Sequence, residues 1–194
     1  MFKQFLLVAA LVGSFQSACH ADPAARVAAD SSAVQPQSEA TRAAKDLLDE
    51  IVTWLGSNFD LPAAADHPAV AFVSQSRLET MRAEDRAFSR GLTQGAAGDE
   101  PAPRRVVAVY DINLKTIFLS DDWTGKSPAG QSILVHEMVH HLQNLAGLKF
   151  ECPMAREKVA YMAQDKWLKR FGTSLESEFE LDMFTVLISS ACMY

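Results

Sequence analysis

The chain has 194 residues, 48% of them hydrophobic, with 24 acidic against 18 basic side chains and a formal net charge of −6. That length and composition suit one globular domain with a single core. Basic residues nowhere gather densely enough to line a nucleic-acid groove. Arg104-Arg105 and Lys166, Lys169 and Arg170 read as solvated charges, which excludes nucleic acid as an expected partner.

Residues 1–21 read as a signal peptide. Lys3 is a short basic start, Phe5 to Phe15 an apolar stretch too short to span a bilayer, and Cys19-His20-Ala21 a cleavage point before Asp22. This predicts a secreted or periplasmic protein. The alternative is a lipid anchor on Cys19 after Ser17-Ala18, against which Gln16 stands where an aliphatic residue is expected. No later segment is apolar for long enough to be transmembrane. With Cys19 removed, Cys152 and Cys192 remain, an even number suited to an oxidising compartment. A bridge between them closes a loop of roughly 40 residues, worth about 4 kcal/mol in the chain-entropy model. Two separate buried thiols are the alternative.

Residues 22–37 carry Ala, Ser, Pro and Asp with few large apolar side chains and read as a disordered leader, leaving 38–194 as the domain. Leu47, Leu48, Ile51, Val52 and Leu55 recur at helical spacing, so Ser38 to Leu55 is an amphipathic helix. Ala69 to Val73 reads as a short strand, Leu78 to Arg90 as a more polar helix, and Gly91 to Arg104 as an exposed loop. Val106–Tyr110 and Thr116–Leu119, joined through Asp111-Ile112-Asn113, predict a β-hairpin. Ser127-Pro128 and Gly147 bracket the next helix as N-cap, first-turn proline and stop. Another helix starts at Pro153 and runs to Arg170. Thr173-Ser174-Leu175-Glu176 has capping-box spacing ahead of a last helix whose apolar face holds Phe179, Met183, Phe184, Leu187 and Ile188. Strands followed by helices make the fold class α+β.

The bracketed helix carries His136-Glu137-Met138-Val139-His140. Histidines four apart share one helix face, so both imidazoles can reach one metal ion, and Glu137 then lies beside that ion as a general base. A catalytic zinc needs a third protein ligand. The longer histidine-rich motif fails, because Gln143 and Ala146 stand where glycine and histidine are required. His141 points about 100° away from His140 on the helix. The third ligand is therefore an acid, and Glu157, early in the following helix, is the best candidate. Ala160 and Ala163 keep part of that helix slim enough for close approach. Glu151 and Asp165 are weaker candidates. Gln143 either braces a ligand or faces solvent, His141 is a solvated or packing residue, and His67 is a surface turn residue.

An HExxH helix followed by a glutamate-bearing helix resembles the gluzincin clan of zinc metallopeptidases. The fuller run His136-Glu137-x-x-His140-x-x-Gln143, then Cys152-Pro153-x-x-x-Glu157-x-x-Ala160-Tyr161-x-x-Gln164, is similar to a family of small, uncharacterised secreted bacterial proteins. The resemblance covers about Val106 to Leu168. It implies a zincin-like fold: a small N-terminal β-hairpin or sheet packed on the active-site helix, the glutamate-bearing helix and a C-terminal helix. It also implies Zn2+ on His136, His140 and Glu157, with a peptide or protein substrate bound along an edge strand, Thr116 to Leu119 by analogy. Glu137 would take a proton from water and deliver it to the leaving amine. Many gluzincins place an aspartate four residues after the glutamate ligand, where this chain has Tyr161. Support for the ligands must then come from Tyr161, a backbone carbonyl or an acid such as Asp182. Tyr161 either donates to an oxyanion or packs. The competing functional classes are a non-catalytic secreted domain, with a structural zinc or no metal, and an envelope lipoprotein with a scaffolding role.

Overall fold

The computed structural model describes residues 23–62, 66–92 and 107–192, with side chains from 38–62, 66–84 and 107–192. The expected signal peptide lies outside the described residues, as does 93–104 of the expected loop. The chain divides into two units, 1–34 and 35–194, and helix α1 (Pro23–Asn58) includes their junction. Its first part takes in 23–37, the stretch read from composition as a leader. Everything that follows concerns the second unit.

The fold is α+β. Among the described residues, strands β1 (Ala69–Val73), β2 (Ala108–Asp111) and β3 (Thr116–Ser120) form one sheet in the order β1-β3-β2. The helices after α1 are α2 (Gln75–Leu92), α3 (Pro128–Leu145), α4 (Glu157–Lys169), α5 (Leu175–Phe179) and α6 (Met183–Ser189). No helix among them is long and apolar enough to cross a membrane.

Helix α1 buries Ala44, Leu48, Ile51 and Leu55, all 0% exposed, at successive three- and four-residue steps of one face. That face joins Ile117 and Leu119 of β3, most of the apolar side of α3, and Ala160, Ala163 and Trp167 of α4 in one core. Trp167 meets Trp54 edge to face, and Arg170 lies 4.1 Å over the Trp167 ring.

In the sheet, β2 and β3 are antiparallel, whereas β1 runs parallel to β3, with Ala69 opposite Thr116. This corrects the expectation that Thr116–Leu119 is an edge strand. β3 is central and β2 is the antiparallel edge. Asp111 Oδ1 closes the hairpin by accepting from the backbone of Asn113 and Leu114, both at 2.9 Å.

Helix α3 begins as its sequence signals require, with Ser127 Oγ accepting from Gly130 N and Pro128 in the first turn. It ends with Gly147 at φ 60°, while Gly147 N bonds Asn144 O and Leu148 N bonds Gln143 O. Those two bonds form the Schellman pattern and turn the chain sharply into 148–152. A 3-10 turn, Pro153–Arg156, precedes α4.

The expected single C-terminal helix is two short ones. Glu180 takes the left-handed conformation at φ 55°, and Asp182 caps a new start at Met183 by accepting from Thr185 N. The cap of α5 is Ser174 rather than Thr173. The break rotates the apolar face: Leu175, Leu181 and Val186 are buried, whereas Phe184, Leu187 and Ile188 are 71%, 45% and 51% exposed.

Cys152 and Cys192 form a disulfide across a sequence separation of 40. Cys152 is the cap of the turn leading into Glu157, so the bond holds both the chain end and that turn. Changing both cysteines to serine is expected to lower unfolding stability by about 2–5 kcal/mol, read from denaturant melts. An unchanged melt would deny the bond a stabilising role.

Candidate metal centre

The site lies between α3 and α4, whose close approach is permitted by fully buried Ala160 and Ala163. Helix α3 supplies His136, Glu137, His140 and Gln143, all buried. Helix α4 supplies Glu157 as its first residue and, two turns later on the same face, Gln164.

Three atoms converge. His136 Nε2 lies 3.2 Å from His140 Nε2 and 3.2 Å from Glu157 Oε2, and His140 Nε2 lies 3.3 Å from the same oxygen. The opposite ring nitrogens are fixed by amides. His136 Nδ1 is 3.1 Å from Gln164 Oε1, and His140 Nδ1 is 3.1 Å from Gln143 Oε1.

Backbone carbonyls settle which way those amides point, because a carbonyl can only accept. Gln143 Nε2 donates to Arg156 O, leaving its oxygen for His140 Nδ1, which must carry hydrogen. Ser132 Oγ donates to Ala129 O and accepts from Gln164 Nε2, leaving Gln164 Oε1 for the Nδ1 hydrogen of His136. Both Nε2 lone pairs therefore face one carboxylate oxygen. Such a cluster of acceptors demands a cation, either a proton or a metal. Ligands about 2.0–2.1 Å from a tetrahedral ion sit about 3.3–3.4 Å apart, which is the size of this triangle. His136, His140 and Glu157 could thus hold a metal ion.

Without metal, protons do that work. Burial opposes charge on His136, but the hydrogen bond and charge of Glu157, with Glu137 adding, raise it above the usual imidazole range. Burial also opposes charge on Glu157, yet the adjoining His140 and His136 hold its carboxyl well below the usual range. The lowered Glu157 contributes stability above its ordinary value of 4.5, lost as pH falls through the lowered one. The raised His136 contributes below its ordinary value of 6.5, lost as pH rises through the raised one. The chelator-treated protein is therefore expected to resist denaturant better at about pH 5.5 than at about pH 8.5. Glu157→Gln should flatten the difference. Added metal should reverse it, because deprotonated ligands bind best.

Glu137 is 8% exposed, and among the described residues it has no hydrogen bond or ion pair. Tyr161 packs edge-on against His136, ring centroids 4.5 Å apart.

The braces were not recognised as such in the sequence. Sequence alone gives Gln164 no role and allows Gln143 either to brace a ligand or to face solvent. The available signal was polar side chains on helix faces that must be buried. Of the suggested supports, Asp182 instead caps α6 through Thr185. Among the weaker ligand candidates, Glu151 is exposed. Asp165 accepts from Leu175 N and pairs with Lys169. His141 is neither solvated nor merely packed: Nε2 meets Asp66 O at 2.9 Å and Nδ1 meets Tyr110 Oη at 3.0 Å. The carbonyl again fixes the tautomer, so Nε2–H donates and Nδ1 accepts from the tyrosine. His67 is half-buried, 3.6 Å from Asp49.

No curated protein and no solved structure matches the chain. The profile of one family, described as a domain of unknown function (DUF6647), matches residues 40–194. That stretch is most of the chain and includes every residue of the centre, so the chain belongs to the DUF6647 family.

Proposed function

We propose that this protein is an exported zinc-dependent hydrolase of peptide or related amide bonds. The observation that carries the reading is the convergence of two imidazole lone pairs and a carboxylate oxygen at 3.2–3.3 Å, each imidazole locked from behind by a glutamine. A structural zinc would be closed by a fourth protein ligand. Among the described residues the group contains three, and Cys152 and Cys192 are committed to each other. Three ligands leave a position open, which favours catalysis over stapling.

Zinc at this place supplies polarisation of a carbonyl and acidification of water. The chain's own residues do the rest. Glu137 accepts a proton from the attacking water and returns it to the leaving nitrogen. His136 and His140 keep their positions through Gln164 and Gln143. The zincin-like layout suggested by the motif is supported by α3 packing against β2. With β3 central, the edge that would pair with an extended substrate is β2. Export is supported by the disulfide and by the signal-like start of the sequence.

Metal analysis of protein purified with zinc present, then dialysed against metal-free buffer, is the direct test. About one zinc per chain is expected. A metal-free wild type after this treatment would refute the reading.

A further inference from the structure

An open cleft of about 120 Å³ adjoins the candidate metal centre at His140. It is smaller than a drug-sized pocket and has room for a single side chain. Three large apolar side chains around it are each partly exposed: Ile112 by 43%, Leu148 by 46% and Phe150 by 36%. Singly these would need no explanation, but three around one concavity ending at a ligand histidine indicate a binding surface.

The cleft also holds a cation. Arg156 Nε is shut off from solvent and has no hydrogen-bond partner. Its nearest acid is Glu157, through Oε1 at 3.6 Å, while Oε2 of that carboxylate faces the two imidazoles. Nε itself is closed to a ligand, but the Arg156 side chain is 26% exposed in the cleft, and its positive charge among apolar neighbours matches a carboxylate brought by a ligand.

We propose that this cleft receives the carboxy-terminal residue of a substrate, with an apolar side chain among Ile112, Leu148 and Phe150 and its free carboxylate on Arg156. Under the hydrolase reading, on which its catalytic meaning rests, the enzyme then removes apolar residues from chain ends. The charge complement favours such an end over the interior of a peptide, which brings no carboxylate to that position.

The test is binding, so that it stands apart from catalysis. Acetyl-L-leucine and acetyl-L-leucinamide are titrated into the full chain in chelator and again with zinc, followed by NMR shift perturbation. The acid is expected to bind at least about 10-fold more tightly than the amide in both conditions. Arg156→Gln should remove that preference, and Phe150→Ser should weaken both ligands. Equal affinities, no binding of either ligand, or a preference that survives Arg156→Gln would overturn the proposal. A preference that survives Arg156→Gln only with zinc present would mean that the carboxylate sits on the metal. A protein that prefers the acid yet holds no zinc would instead defeat the hydrolase reading alone.

Discussion

Replacing Glu137 by glutamine is expected to cut peptide hydrolysis by about 10²–10⁴-fold and to leave bound zinc unchanged. The amide has the same shape as the carboxylate but cannot accept a proton from water, and it lies outside the three converging atoms. Turnover of a peptide library and zinc content on the same preparations check both halves. Loss of zinc would show that Glu137 helps to hold the ion. Unchanged turnover would place the hydrolysis elsewhere.

Glu157→Ala should weaken zinc binding by more than about 100-fold, the upper end for a residue that merely supports a ligand. It deletes one corner of the triangle and leaves the two Nε2 atoms with no anion between them. Gln164→Leu should cost less, about 10–100-fold, because His136 keeps its coordinating nitrogen and loses only the acceptor that orients its ring. Competition against a chelating dye measures both. If the two variants lose equally, Gln164 acts as more than a brace. If neither loses, the ion binds somewhere else.

How much of this was legible depended on how local each signal is. Helix α3 and the histidine pair on one of its faces could be read because Ser127, Pro128 and Gly147 act within a turn of the helix ends they define. Glu157 was reachable by elimination, since a two-histidine motif lacking a downstream histidine needs an acid. The position of β3 was not readable. Its central place depends on pairing Ala69 with Thr116, a contact between distant segments that no local pattern encodes. The C-terminal helices misled for a different reason. Helical spacing continued through Phe184, Leu187 and Ile188, but one left-handed residue, Glu180, restarted the helix and turned that face to water. The braces were hidden because a glutamine's role depends on which groups face its two ends, and those are tertiary facts.

Gln143 and Asn144 are neighbours that hold opposite sides of the cleft. Gln143 ties the carbonyl of Arg156 to His140, and Asn144 bonds Tyr110 Oη and the carbonyl of Ile112. For anyone wishing to re-engineer selectivity, the two walls are consequently unequal. Backbone changes at 156 are transmitted through one amide to Nδ1 of His140 and so to the orientation of its ring, and widening that wall and preserving the candidate centre are conflicting goals. Side chains at 148 and 150 have no such linkage, so under the proposed function they are where selectivity would be altered with least effect on the candidate centre.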